Sequence, residues 1–446
     1  MVNLKKIVFD IKINYILNKK TMSEKIKNVD SLSYQQLKIL NFKKRKAIVE
    51  YAYANIPFYE SFYDTSGFHP DDLVTDKDWL KIPILTKDAI KNKAHLLKNP
   101  LINDKYFRKS VTGGSTGVPL TVYFDKRVPL EAFGWRVLNW WGLKPWDNQA
   151  YVYRNVRSNF QQLINNLVWW PTRRALLDCS SMSDSDIEVF IAKLNTIKPE
   201  IIQGYVGGVF DLAKYIDKNN VKLSFKPKVI WVTAAPLPNS TRVFIESVFK
   251  APVYDQYGCS EVFWLAAECT LQKGLHVLSD IRHIEFLDTK GDLALENEYG
   301  DVIITDLENK VFPIIRYMNG DRGRYLEQDA CACGLPYPLI DKIKGRVTDS
   351  LKMPSGIIID GSYLTTIFDS HPDLIDGFQV IQDEDYSITI NCVLRNGVLS
   401  ENLNFILIRK QLELKARQEV PVKLLFVDSL IQDRGKMKFI ISHLND

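Results

Sequence analysis

Between Thr112 and Gly117 the chain reads TGGSTG, six positions holding Gly113, Gly114 and Gly117 with the hydroxyls of Thr112, Ser115 and Thr116. Glycine lets the backbone fold so that successive N–H groups point inward, which makes a nest for an anion, and the hydroxyls add donors. Phosphate is the natural guest, and a polar hairpin turn is the plainer reading of the same residues. Cys269 and His276 in ECTLQKGLH, with Cys331 and Cys333 in CACG, make a second chemical set. Three thiolates and one imidazole are the ligand mix of a closed structural zinc site. Neither pair has zinc-finger spacing, and four unrelated residues in a reduced cytosol would read the same way. Glu261, in YGCSE, offers the carboxylate oxygen that a hard divalent cation prefers; a surface acid after a strand is the ordinary alternative.

These groups need elements to position them. Residues 30–100 read as helices punctuated by proline turns, as in YANIPFYESFYD and LKIPILTKDAIKNKAHLL. From Leu120 onward, β-rich runs (LTVYF, KVIWVTAAP, APVYDQYG, GDVIITDL) alternate with helical ones (SDSDIEVFIAKLNTI, STRVFIESVF), which argues an α/β core with helices over its sheets. After IDKIKGRVTD the pattern restarts: a strand pair, a helix over SENLNFILIRKQLELKARQEV and closing strands in VKLLFVDS and KMKFIISHL. The expected organisation is a basic helical arm over 1–48, a large domain over 49–345 and a small α/β domain over 346–446, with the boundary near Gly345 to Asp349.

At 446 residues the chain exceeds a single compact core, and its 46% hydrophobic and 25% charged content leaves no room for extensive disorder. Residues 1–48 carry twelve Lys/Arg against three acids, while the whole chain is only +5. The arm, opening MVNLKKIVFDIKINYILNKK, either lies on an anionic membrane surface or packs on its own protein. It lacks the longer apolar centre and small-residue cleavage site of a secretory signal, so a cytoplasmic protein is expected, with the arm as the one route to peripheral membrane contact. Basic excess confined to the arm, with no reader motif, speaks against nucleic-acid binding.

Taken in order, the TGGSTG loop, YGCSE (Tyr257–Glu261), RYMNGD ending in Asp321, KGRVTD and DRGKMKF resemble the AMP-forming adenylating ligases. The closest likeness is to the phenylacetate–CoA ligase family and its capsular polysaccharide biosynthesis relatives, over roughly residues 50 to 446. The resemblance implies a large α/β adenylation domain with a helical lead-in and a small, mobile C-terminal domain. It implies that Thr112, Gly113, Gly114, Ser115, Thr116 and Gly117 hold the β- and γ-phosphates of ATP. Tyr257, with Gly258 and Ser260 in the same motif, would flank adenine, and Glu261 would position Mg²⁺. Ala234 and Ala235, in VTAAPLP, would border the nucleotide, although close relatives often have an acid at the Ala235 position. Asp321 would accept hydrogen bonds from both ribose hydroxyls, as a carboxylate can, with Arg346 on the same ribose and Thr348 or Asp349 at a hinge. Lys436 would enter from the small domain to stabilise charge on the α-phosphate. Some members also have a zinc site of the Cys269/His276/Cys331/Cys333 kind. The lysine that many adenylating enzymes place after the phosphate loop is absent, Val118 and Leu120 standing there, and Arg108 and Lys109 are near only in sequence.

The activity implied is formation of an acyl-adenylate from a small-molecule or saccharide-linked carboxylic acid, then acyl transfer to coenzyme A or an amine with release of AMP. Six of the nine tryptophans (Trp135, Trp140, Trp141, Trp146, Trp169 and Trp170) follow the loop within 36 residues, to stack on an aromatic acid or sugar, or to fill core. Arg154, Arg157, Arg173 and Arg174 would receive an anionic substrate or solvate a surface. The competing class is a non-catalytic nucleotide-fold interaction protein at the membrane surface; the joint presence of Glu261, Asp321, Arg346 and Lys436 argues against it.

Overall fold

The computed structural model describes residues 4–13, 29–111, 120–154, 159–179, 182–327, 331–344, 350–360, 374–433, 436–437 and 439–444. It divides into two compact units: residues 1–9, 146–255 and 344–446 form the first, and residues 10–145 and 256–343 the second. The chain thus changes unit between Ile343 and Lys344.

In the first unit, four strands run parallel: β3 (Gln149–Tyr153), β4 (Arg174–Asp178), β5 (Ile201–Tyr205) and β6 (Val229–Thr233), in the order β4-β3-β5-β6. Parallel neighbours require crossovers, supplied by helices α6 (Asn159–Trp169), α7 (Asp184–Ile197) and α8 (Val206–Lys218). Strand β5 is buried along most of its length, the mark of a sheet covered on both faces. Gly204 is required there, because a Cβ would sit 2.5 Å from the Val152 carbonyl oxygen. Helix α9 (Asn239–Phe249) follows β6. The short ladder of β14 (Ser350–Lys352) and β15 (Ile358–Asp360) precedes a second sheet, ordered β18-β17-β16-β21. Its members are β16 (Ile375–Gln382), β17 (Ile388–Leu394), β18 (Val422–Phe426) and β21 (Ile440–Ser442), and helix α10 (Leu403–Lys415) joins β17 to the parallel β18. A two-residue ladder of β19 (Gln432–Asp433) and β20 (Lys436–Met437) precedes β21. Phe210 and Phe244 of the helices share one core with Leu351, Phe378 and Phe439 of this C-terminal part.

In the second unit, helix α2 (Tyr34–Asn55) starts at a capping box, with the Ser33 hydroxyl on the Gln36 N–H and the Gln36 side chain on the Ser33 N–H. Pro57 cannot continue it and instead opens α3 (Pro57–Thr65). Helix α4 (Lys87–Leu97) leads to the antiparallel pair β1 (Phe107–Val111) and β2 (Thr121–Asp125), then α5 (Leu130–Trp140). Strand β7 (Val253–Tyr257) brings the chain back, and its end pairs with β8 (Ala266–Glu268); β9 (Leu275–Val277) and β13 (Leu339–Ile340) extend that antiparallel set. A three-stranded sheet, β10 (Arg282–Leu287), β11 (Gly300–Asp306) and β12 (Tyr317–Gly323), completes the unit. Among the described residues no helix is long and apolar enough to cross a membrane.

Candidate functional site

Three sequence motifs meet inside the second unit. YGCSE leaves the end of β7, and Asp321 stands on β12, where the ladder to β11 is irregular: Ile303 faces Met318 and Asp301 faces Arg322, so Val302 alone spans Asn319, Gly320 and Asp321. Such a bulge re-aims side chains, and Gly320 accepts the left-handed backbone it needs, at φ +85°. The Tyr257 hydroxyl donates to Asp321 Oδ2 at 2.7 Å. Asn319 Nδ2 donates to that same oxygen at 2.7 Å and to the Tyr257 hydroxyl at 2.7 Å, while its Oδ1 accepts from the Asp321 N–H at 3.0 Å. A carboxylate is thereby fixed against a phenol and an amide.

Glu261 is buried, and its Oε1 accepts from the Tyr317 hydroxyl at 3.2 Å. No Lys or Arg among the described residues pairs with it, and a buried carboxylate without a countercharge is costly. The residues therefore fit a divalent cation at Glu261. The Ser110 hydroxyl, at the end of β1 where the chain enters the TGGSTG loop, donates to the Ser260 carbonyl at 3.3 Å, so the base of that loop is tied to YGCSE. Burial and the neighbouring Asp321 hold the Tyr257 phenol well above its usual range, so it stays a donor. Burial and Glu261 do the same to Cys259, which favours its thiol form. Trp264, just beyond the motif, has φ +59°, an outlier for a bulky residue, and its ring lies so close to Gly134 that a Cβ there would be 2.5 Å away.

Thr112 to Gly117 and Arg346, with Thr348 and Asp349, lie outside the described residues. Ala234 and Ala235 follow β6 in the first unit, where Ala234 is exposed at φ +73°, a strained conformation of the kind held at functional sites. Lys436 opens β20 of the same unit, opposite Asp433, and only its backbone is described. Arg108 places its guanidinium over the stacked rings of Phe124 and Phe263, at 5.5 and 5.9 Å.

Four of the six tryptophans have separate partners. Trp140 Nε1 donates to Asp30 and Trp141 Nε1 to the Glu268 carbonyl, both in the second unit. In the first, Trp146 packs on Phe9 and Trp169 lies 3.9 Å beneath the Arg174 guanidinium. Residues that motif reading passed over are Asn319, Tyr317 and Ser110. Asn319 and Tyr317 sit two and four positions before Asp321, a spacing that a strand brings to one face. Tyr153 and Tyr205 were also passed over. They end β3 and β5, meet edge-to-face at 5.0 Å, and stand at the point where the strand order reverses, the place where open α/β sheets take ligands.

Sheet register also gathers Cys269, His276, Cys331 and Cys333. Cys269 follows β8, His276 lies on β9, and β13 follows the CACG stretch, so four ligand atoms fall within 4.8 Å of one another. Cys269 Sγ is 3.5 Å from Cys331 Sγ, and Cys333 Sγ is 3.2 Å from His276 Nε2. Tetrahedral zinc with Zn–S near 2.3 Å holds its sulfurs about 3.8 Å apart, so the set fits that ion. His276 Nδ1 lies 3.3 Å from the Tyr337 carbonyl, the outer hydrogen bond that leaves Nε2 for a metal. Burial lowers the His276 pKa, which favours the neutral ligating form, and pushes the Cys269 thiol up to about 12. Only a cation would make thiolates stable here.

Residues 351–443 match the CapK C-terminal domain family. A phenylacetate-coenzyme A ligase of Aromatoleum evansii is 23% identical over 80% of this chain and 81% of its own length. Protein CapK of Staphylococcus aureus is 24% identical over 72% of this chain and 71% of its own. Among solved structures, a 2-hydroxyisobutyryl-CoA ligase in the postadenylation state with 2-HIB-AMP aligns at a TM-score of 0.74 and 17% identity, over 93% of this chain and 91% of that one. The amide bond synthetase McbA of Marinactinospora thermotolerans aligns at 0.53 and 14%, over 75% and 67%. The chain is a homologue of the phenylacetate–coenzyme A ligases and of CapK, built on the fold of the AMP-forming ligases.

Proposed function

We propose that this protein is an ATP-dependent, AMP-forming carboxylate ligase, which makes an acyl-adenylate and passes the acyl group to coenzyme A or an amine. The observation that supports the reading is the set of hydrogen bonds that joins Tyr257, Asn319 and Asp321, ties Glu261 to Tyr317 and ties the base of the TGGSTG loop to YGCSE, three stretches far apart in sequence. Asp321, oriented by Asn319 and Tyr257, would accept the ribose hydroxyls, and the phenol ring of Tyr257 would flank the base. The loop Thr112–Gly117 would direct its N–H groups and hydroxyls at phosphate. Glu261 would hold Mg²⁺, which supplies compensation for phosphate charge. Arg346 would add a second ribose contact. Lys436 would donate to the α-phosphate oxygens, where a cation counts most as the carboxylate attacks in line and pyrophosphate departs.

The four-ligand cluster would hold zinc in a structural role, since Cys₃His leaves no coordination position open. Either a small-molecule or a saccharide-linked acid suits this reading. The basic arm would make peripheral contact with an anionic membrane of a cytoplasmic protein. The test is pyrophosphate release by the purified chain with ATP and Mg²⁺, screened over aryl, fatty, amino and uronic acids, with and without coenzyme A. An acid-dependent release with AMP as product supports the assignment. Full occupancy by ATP with no turnover of any acid class would instead favour a nucleotide-fold interaction protein.

A further inference from the structure

Helix α6 is inside out. A surface helix buries its apolar stripe and shows its polar one, yet here Phe160, Leu163, Ile164, Leu167 and Val168, spaced i, i+3, i+4, i+7, i+8, are between 44 and 70% exposed. Gln162 and Asn165 are the half-buried positions, together with Trp169. Trp170 continues the apolar surface at 59% exposed. At five residues over two turns this is a continuous patch, which a soluble protein rarely leaves to water.

The patch has a neighbour. Thr172 Oγ1, just past α6, donates to the Trp146 carbonyl, and the Arg173 N–H donates to Asn148 Oδ1 at 3.0 Å. That same oxygen accepts from Lys5 Nζ at 2.8 Å, and Phe9 packs on Trp146. Lys5 and Phe9 belong to α1 (Leu4–Ile11), whose Leu4 and Ile7 are exposed in turn. One turn, Trp146–Asn148, therefore anchors both apolar helices. The charge around them is net positive: among the described residues, 4–11 and 146–174 hold Lys5, Lys6, Arg154, Arg173 and Arg174 against Asp10 and Asp147. A second copy of the chain docked here would set one net-positive face against another, whereas anionic headgroups complement it.

We infer that α6, flanked by α1, is a membrane-docking face that seats its apolar side among the acyl chains of an anionic bilayer, with the arginines and lysines at headgroup level. The inference rests on exposure and charge alone and stands apart from the ligase chemistry, so vesicle binding is measured without ATP or acid. It also assigns to α6 the role that the basic arm would otherwise carry unaided.

The test is flotation of the full chain with phosphatidylcholine vesicles containing about 30 mol % phosphatidylglycerol, against pure phosphatidylcholine, at low and high salt. Binding to the anionic vesicles that weakens with salt is expected, and Leu163→Glu/Leu167→Glu should lower the partition coefficient about thirty-fold or more. Phe160→Gln/Leu163→Gln, which adds no charge, should weaken it less but measurably. Val189→Glu, an equally exposed apolar position on α7, should bind as wild type. All substituted side chains are exposed, so melting temperatures should match. No binding by the wild type overturns the inference. So does wild-type binding by both α6 variants, or a wild-type dimer that these variants dissolve without any vesicle binding.

Discussion

Asn319 gives the sharpest test of the nucleotide site, because the family resemblance assigns it no role and its case rests on its contacts with Tyr257 and Asp321. Its side chain makes three hydrogen bonds, two of them to Asp321 and one to Tyr257. In Asn319→Ala the carboxylate loses one of two donors on Oδ2 and the acceptor that fixes its backbone, and is free to rotate. A hydrogen bond to a charged group contributes about 1.5–3 kcal/mol. The pair is half-buried, so the lower part of that range applies, and about 1.5–2 kcal/mol corresponds to roughly 10- to 30-fold in nucleotide affinity at 1.4 kcal/mol per decade. Titration calorimetry with ATP, which needs no knowledge of the acid, measures it directly. Asn319→Asp should be worse, since it sets a second carboxylate beside Asp321. The expected kinetic signature is a raised KM for ATP with kcat little changed. Unaltered ATP affinity in both Asn319→Ala and Asp321→Ala would refute the site.

Lys436→Ala should lose about 10²- to 10³-fold in pyrophosphate release while still transferring acyl groups from a chemically made adenylate; equal loss in both half-reactions of a folded variant would remove the support for a lysine that serves adenylation alone. Protein purified without chelator should carry about one zinc per chain, and Cys331→Ser should lose the metal and melt earlier, because binding is coupled to folding; a metal-free wild type would defeat the assignment. Burial on β16 raises the Asp376 carboxyl to about 6, with Arg395 Nε 3.9 Å away as partial compensation. A raised folded-state pKa favours the protonated form, so the fold is penalised as pH rises from the ordinary carboxylate value through about 6. Asp376→Asn should therefore gain about 1 kcal/mol at pH 7.5, after discounting for solvent, and nothing at pH 4, by urea denaturation.

What the sequence disclosed and what it withheld differ in kind. The alternation of KVIWVTAAP with STRVFIESVF, and the restart after Asp349, follow from periods of two and 3.6, which are local properties; β6, α9 and the β16–β17 pair stand where those periods put them. Motif order needed no structure either, since it is read along the chain. The rest depended on register. Nothing in RYMNGD announces that Val302 must face three residues at once, yet that bulge is what turns Asn319 and Asp321 toward Tyr257. Cys269 and Cys331 are 62 positions apart, and only the β8-β9-β13 pairing makes neighbours of them. Density of one residue type could not choose between substrate stacking and core for the same reason, and Trp140, Trp141, Trp146 and Trp169, close in sequence, have separate partners in space. Helix α6 is the clearest case: its periodicity was readable, but a period names two faces without saying which one the protein covers, and here the covered face is the polar one. Burial is settled by neighbours, and neighbours are what a linear reading lacks.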